Sequence, residues 1–372
     1  MVARRTFLTG TAALGALALV GCRDDESSAP PVDGQGPSPD PETPQSIDPS
    51  VAGTVVDGLN VPWSIAFLAS GDALVSQRDD AEILRVSPDG ETTSVGAVPG
   101  EQVRTGAEGG LLGLAIDPDD ETSLYAYLTT PVDNRVVRMR LEDDVLSDPV
   151  VVVEGIPLGV NNHQGGRLLF DGDGALFIST GDAGNADLAQ DRDSLAGKIL
   201  RVDRDGEPVD DNPFGTRVWS YGHRNVQGLA LDADGRLWAS EFGAQERDEL
   251  NLVEKGGNHG WPLVEGESDD PDLVAPQVTW GTDECSPAGT AITRGTVFLG
   301  ALRGERLWAV PIGEDGADER GVGEPRALLE GEYGRIRDVV VAPDDSLWIS
   351  TSNTDGRGDQ RDGDDRILRV TL

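Results

Sequence analysis

The stretch DGDGALFISTG, Asp171–Gly181, decides how this chain folds. An Asp-Gly turn leads directly into a short run of strand-forming residues. Glycine supplies the positive φ a tight turn needs, and aspartate caps the backbone just beyond itself, so the pair reads as a β-hairpin corner. The unit returns along the chain. It appears as ASGDALVSQ around Asp72, DPDDETSLYAYLT around Asp117, DADGRLWASEFG around Asp232 and APDDSLWISTS around Asp344. A weaker copy, LGALRGERLWAV, runs from Leu299 to Val310. No long helical periodicity interrupts the series after Ser50.

Six such copies imply stacked β-units. At their spacing, each unit has room for four strands and its loops. The expected fold is all-β: a six-bladed β-propeller of four-stranded antiparallel blades, over residues 51–372. The ends fit closure of a ring, because GTVVDGL (Gly53–Leu59) and RILRVTL (Arg366–Leu372) are both strand-like and can share one blade. Paired β-sandwiches would account for the turns but not for the repeat. Trp219, Trp238, Trp308 and Trp348 fall at strand positions and are expected in the core between blades.

Residues 1–22 read as an export signal. Arg4 and Arg5 precede Phe7, Leu8 and a small-residue apolar run, a twin-arginine-type pattern, and LVGC ends in Cys22 as a lipidation site does. Residues 23–50 are rich in Pro, Ser and Asp and are expected to form a disordered tether. The expected location is extracytoplasmic, on the outer face of the cell membrane, with the lipid as the only membrane contact. With Cys22 lipidated, Cys285 stands alone and no disulfide within the chain is expected.

The chain carries 67 acidic against 30 basic residues, a net charge of −37. A nucleic-acid partner is excluded on this ground, since phosphate binding needs a basic face. Lys198 and Lys255 are the only lysines. An acidic, lysine-poor surface suits high salt, where screening limits self-repulsion.

Polar clusters lie beside the repeat strands. They are NNHQGG with His163, GHRNVQG with His223, Arg224, Asn225 and Gln227, and FGAQERDELNLVEKGGNHGWP with Gly243, Ala244, Asp248, Glu249, His259 and Trp261. GRIRD adds Arg335 and Arg337. In a propeller such loops converge at one end of the channel. The histidines lack the i, i+4 spacing of a zinc helix, and no nucleophilic serine motif or phosphate loop is present. No Gly-x-Gly-x-x-Gly opens a helix, which argues against a nicotinamide site.

These loops, with VPWSIAFL (Val61–Leu68) and EGGLLGLAIDP (Glu108–Pro118), resemble those of the soluble pyrroloquinoline-quinone-dependent sugar dehydrogenases. That group is the glucose/sorbosone dehydrogenase family with its aldose sugar dehydrogenase branch. The resemblance implies a six-bladed propeller that oxidises the anomeric hydroxyl of an aldose to a lactone, with hydride passing to pyrroloquinoline quinone (PQQ). It implies that His163 is the general base and that Arg224 polarises the quinone carbonyl. Asn225 would hydrogen-bond the cofactor, and Arg303, Arg335 and Arg337 would hold its carboxylates. The backbone carbonyls of Gly243 and Ala244 would coordinate calcium. Glu108 and Asn162 would lie on the substrate side. Four positions depart from the family pattern: Asn162 replaces an aspartate, Glu108 a glutamine, Ala244 a proline and Arg303 a lysine. The electron acceptor is not specified.

Two rivals share the fold. A calcium-dependent lactonase-type hydrolase needs several carboxylates and an asparagine around one metal, whereas the loops here bring arginines together. A non-catalytic binding propeller has no need of His163 with the arginines. His223 and His259 are expected to be structural, and Trp261 to be packed in its turn. The acidic loop from Asp355 reads as solvated surface rather than a second calcium site.

Overall fold

Each Asp-Gly hairpin is a locally satisfied unit. Asp171 Oδ1 accepts the backbone N–H groups of Asp173 and Ala175 at 2.9 and 2.8 Å. Asp232 Oδ1 accepts those of Asp234 and Arg236 at 3.0 and 2.9 Å. The second carboxylate oxygen is used as well: Arg201 Nε reaches Asp171 at 2.8 Å, and Trp238 Nε1 reaches Asp232 at 2.9 Å. The aspartate thus ties the turn to the strand that follows, which is why the sequence shows it so regularly.

The structure, a computed structural model, describes residues 47–313 and 321–372. The export signal, Cys22 and nearly all of the tether lie outside the described residues. Strand β1 (Ser50–Val56) begins at the last tether residue. The first four-stranded sheet follows as β2 (Pro62–Phe67), β3 (Ala73–Gln77), β4 (Glu82–Val86) and β5 (Thr92–Ala97). The second contains β6 (Leu111–Asp117), β7 (Asp120–Thr129), β8 (Asn134–Glu142) and, after the short β9 (Val145–Leu146), β10 (Val150–Ile156). The third is β11 (Leu168–Phe170), β12 (Leu176–Ser179), β13 (Lys198–Val202) and β14 (Val218–Tyr221). The fourth is β15 (Val226–Leu231), β16 (Leu237–Glu241), β17 (Arg247–Leu252) and β18 (Val278–Gly281). The fifth is β19 (Pro287–Thr293), β20 (Thr296–Ala301), β21 (Arg306–Pro311) and β22 (Arg326–Leu328). The sixth is β23 (Ile336–Val341), β24 (Leu347–Thr351) and β25 (Ile367–Thr371), with β1 paired antiparallel to β25 as its fourth strand. The two ends of the domain therefore close the ring as their sequences suggest.

The first strands of the blades, β2, β6, β11, β15, β19 and β23, neighbour one another in a ring. They line a central cavity of about 390 Å³. Six apolar clusters fill the six blade interfaces, from Leu74, Ile83 and Leu124 between the first two blades to Ile65, Val75 and Trp348 across the closure. Because each blade is covered on both faces, strands such as β12 and β24 are buried along their whole length. They read as nearly continuous apolar runs rather than strict alternation.

One repeat is displaced from its expected place. The stretch Leu299–Val310 spans β20 and β21, whereas the equivalent hairpin joins β19 to β20, where Thr293 pairs with Thr296. Its two-residue turn is Arg294-Gly295 at φ +49° and +64°, which matches a type I′ corner that needs no aspartate.

Five of the six first strands carry a register shift near their start, as at Pro62/Ser64, Val226/Gly228 and Ile336/Asp338. Serines fill these bulges. Ser76 accepts the N–H of Ser64 and donates to Leu112 O of the next blade at 2.6 Å. Ser179 accepts the N–H of Arg167 and donates to Val226 O at 3.0 Å. Ser240 donates to Ala288 O, and Ser350 accepts the N–H of Asp338. The bulges re-aim the residues at this end of the channel, and Ser76, Ser179 and Ser240 fix their blades to the next one there.

Candidate active site

All the candidate loops open at that bulged end. His163 lies just ahead of β11, Arg224 and Asn225 just ahead of β15, and Arg335 and Arg337 at the start of β23. Gly243 follows β16 and Arg303 follows β20.

His163 stands at φ +60°, a left-handed conformation that costs a β-carbon residue on the order of 1 kcal/mol or more. Glu108 Oε2 grips its backbone N–H at 2.9 Å. Its carbonyl faces Gly181, where a side chain would collide with it and with Asn225. Asp182 Oδ1 lies 2.6 Å from His163 Nδ1, and the same oxygen accepts the N–H of Gly184 at 2.7 Å. Asp182 Oδ2 accepts from Trp261 Nε1 at 2.9 Å. Burial pushes the Asp182 carboxyl up, but the hydrogen bond and charge of His163, with Gly184 and Trp261, more than offset this and leave it below its ordinary value. An ionised carboxylate on Nδ1 fixes the tautomer with Nδ1–H and leaves Nε2 as the acceptor. Nε2 has no partner among the described residues and is not sealed from solvent.

Asp182 is thus the orienting acid, a residue the sequence reading passed over. Asn162, where the family has an aspartate, instead lends its backbone carbonyl to Gln164 Nε2 at 3.2 Å. Trp261 is more than packing: it holds Asp182, and its ring lies 5.4 Å from the Arg224 guanidinium.

Arg224 Nη1 donates to Gly243 O at 2.6 Å, and its backbone N–H is held by Glu241. Its Nε is buried without a partner, and so are Asn225 Nδ2 and Arg337 Nε. Asn225 Oδ1 is spent on the N–H of Gly165 at 3.0 Å, which leaves the amide nitrogen free to donate. Arg337 Nη1 donates to Gln227 Oε1 at 2.8 Å above the ring of Trp63. Burial pushes the Arg337 guanidinium down to about 9, against the pull of Asp355, so it is still charged at neutral pH. Arg303 is exposed and has no partner among the described residues. Buried donors left unpaired are costly, and three at one channel mouth are suited to an acceptor-rich anion. These residues fit a tricarboxylate quinone. Arg335 differs, because Asp355 already answers its charge at 2.9 Å.

The calcium reading rests on two carbonyls. Glu265 Oε1 accepts the N–H groups of Ala244 and Gln245 at 2.7 and 2.9 Å. A trans peptide points its carbonyl away from its N–H, so the carbonyls of Gly243 and Ala244 are both turned away from Glu265. That presents two oxygens of the kind calcium takes, with Arg224 already on one of them.

His223 and His259 are buried and stacked on each other, with ring centroids 4.5 Å apart. The loop from Asp355 is less solvated than its composition suggests: Asp364 and Asp365 are buried, and Asp365 accepts hydrogen bonds from Thr354 at 2.5 Å and Thr351 at 3.2 Å.

The profile of the glucose/sorbosone dehydrogenase family matches residues 59–368. The PQQ-bound aldose sugar dehydrogenase of Streptomyces coelicolor is 50% identical, covers 87% of this chain and 97% of its own, and superposes with a TM-score of 0.83. Aldose sugar dehydrogenase YliI of Escherichia coli is 32% identical over 81% of this chain and 89% of its own. The soluble aldose sugar dehydrogenase of Escherichia coli in its apo form is 29% identical, covers 87% of this chain and 99% of its own, and has a TM-score of 0.74. With the family profile spanning nearly the whole propeller, this chain belongs to the glucose/sorbosone dehydrogenase family.

Proposed function

We propose that the protein oxidises the anomeric hydroxyl of aldose sugars to lactones with PQQ as its resident oxidant. One observation carries the reading: the open Nε2 of His163, whose ring Asp182 holds at Nδ1, shares a channel mouth with the unpaired donors of Arg224, Asn225 and Arg337. The PQQ-bound relative at 50% identity supports it. When bound, the quinone supplies the hydride acceptor. His163 Nε2 takes the hydroxyl proton, and Asp182 stabilises the imidazolium that results. Arg224 directs its charge to the oxygen where negative charge develops. Asn225, Arg303 and Arg337 would hold cofactor oxygens, and Arg335 would support them while paired with Asp355. The carbonyls of Gly243 and Ala244 are the residues that would hold calcium.

The test is aldose-dependent dye reduction by apo-protein supplied with PQQ, with calcium, or with both. Activity is expected only with both. Full activity with a nicotinamide cofactor alone would overturn the reading. Export and anchoring complete it: Arg4 and Arg5 direct the twin-arginine route, and lipidated Cys22 holds the protein to the outer face of the membrane. Cys22→Ser should move the protein to the soluble fraction, and a variant still membrane-bound after signal cleavage would remove the anchor.

A further inference from the structure

Glu108 joins the base to an arginine that the family comparison does not bring forward. One carboxylate oxygen of Glu108 accepts the backbone N–H of His163 at 2.9 Å, and the other accepts from Arg357 Nη1 at 3.0 Å. Arg357 comes from the β24–β25 loop of the sixth blade, and Glu108 from the loop before β6 in the second. The contact therefore joins the two blades that flank the first, at the loop end of the propeller. Arg357 is fixed from its own side too, since its backbone N–H donates to Asp355 Oδ1 at 2.9 Å and Asp355 in turn holds Arg335.

The Arg357 side chain is 55% exposed, against 16% for Glu108. Only Nη1 has a partner among the described residues, which leaves the Nε and Nη2 donors open. Those two form a planar edge that matches a carboxylate with two parallel hydrogen bonds, and using it leaves the Glu108 bond in place. A single glutamate side chain separates this edge from the His163 backbone. Glu108 alone would place negative charge at the substrate side and repel an anionic sugar; paired with Arg357, that charge is answered.

We propose that Arg357 is a specificity-determining residue through which the site accepts aldoses bearing a carboxylate, the uronic acids. The inference rests on the sugar-dehydrogenase reading above and leaves its chemistry unchanged: hydride and proton still leave the anomeric centre, and the carboxylate is only a handle.

The test uses the full chain loaded with PQQ and calcium. It compares kcat/KM for D-galacturonate and D-galactose, which differ only at C6. The acidic field of the whole protein acts alike on wild type and variants, so the galacturonate-to-galactose ratio isolates Arg357. Arg357→Gln should lower that ratio roughly tenfold, chiefly through KM for galacturonate, as loss of a charge-assisted bidentate contact implies. Arg357→Lys should recover part of it, and added salt should weaken galacturonate oxidation more in wild type than in Arg357→Gln. A ratio unchanged by Arg357→Gln, or a wild type that oxidises galactose but not galacturonate, overturns the inference and leaves the sugar-dehydrogenase reading standing. A wild type that oxidises no aldose at all overturns both.

Discussion

Among the described residues two histidine–carboxylate pairs form, and they differ in one nitrogen. In His163–Asp182 the Nδ1 contact is 2.6 Å and Nε2 is open. In His223–Glu241 the Nδ1 contact is 2.8 Å, but Ser220 Oγ closes Nε2 at 2.8 Å. His223 is fully buried against His259, and burial, with the charge of Lys198, pushes its pKa down to about 3. In the sealed pair both imidazole nitrogens are taken, and burial raises the Glu241 carboxyl to about 8, so neither group offers an accessible acceptor to the channel. The Glu241 carboxyl instead holds the Arg224 N–H and so sets the backbone of the cation beside the base. One pair is arranged to move a proton and the other to place a charge. Residue type alone does not distinguish them; access to the second nitrogen does.

Changing the acid of the open pair should have the largest effect. Asp182→Asn keeps the shape but removes the charge that fixes the tautomer and stabilises the imidazolium. Turnover is expected to fall on the order of 10²-fold, with PQQ affinity retained. Steady-state kinetics and a PQQ titration check this, and wild-type turnover would mean that the carboxylate does not govern the base.

The sealed pair should respond in stability. His223→Gln disturbs two buried hydrogen bonds and should cost about 2–3 kcal/mol in urea unfolding, while turnover per folded molecule falls less than in Asp182→Asn. Unchanged stability with collapsed turnover would erase the distinction between the pairs.

A further effect, confined to alkaline pH, comes from Lys198. Lys198 Nζ donates to the carbonyls of Leu188, Ala189 and Ala196 at 2.8, 3.0 and 2.6 Å, anchoring the loop that begins at Asp182. Burial lowers its pKa from 10.5 to about 8, against the charge of Asp191. From about 8 to 10.5 the unfolded chain holds the proton more than the folded one, so this group makes stability rise with pH through that window. Across the full window the expected contribution is about 3 kcal/mol, read as wild-type denaturation midpoints against Lys198→Met. Parallel midpoints for the two proteins across the window would show that Lys198 titrates normally.

The propeller was legible because its corners are local: Asp171 and Asp232 cap turns two and four residues away, inside one short window. The fifth copy was misplaced because Arg294-Gly295 makes the same corner without an acid. The bulge-filling serines left a readable signal, a serine after an apolar pair at Ser76, Ser179, Ser240 and Ser350, but the bonds of the first three cross between blades. His163, Arg224, Asn225 and Arg337 could be brought to one mouth from loop order and family resemblance. Asp182 could not, because STGDAG reads as the end of a repeat strand; an acid between Gly181 and Gly184 just past that strand was the available hint. Asp355 and Arg357 were hidden by composition: an acidic loop reads as solvent-facing until Arg335 of the same blade and Glu108 of the second are seen against it.

The central claim is that His163 is the base, and the reductive half-reaction tests it most directly. Wild type and His163→Ala, each loaded with PQQ and calcium, are mixed with an aldose in a stopped-flow instrument, and the quinone absorbance is followed through one turnover. PQQ affinity is expected to be similar in both proteins, and the reduction rate about 10²- to 10⁴-fold lower in His163→Ala. Reduction at the wild-type rate in His163→Ala would contradict it.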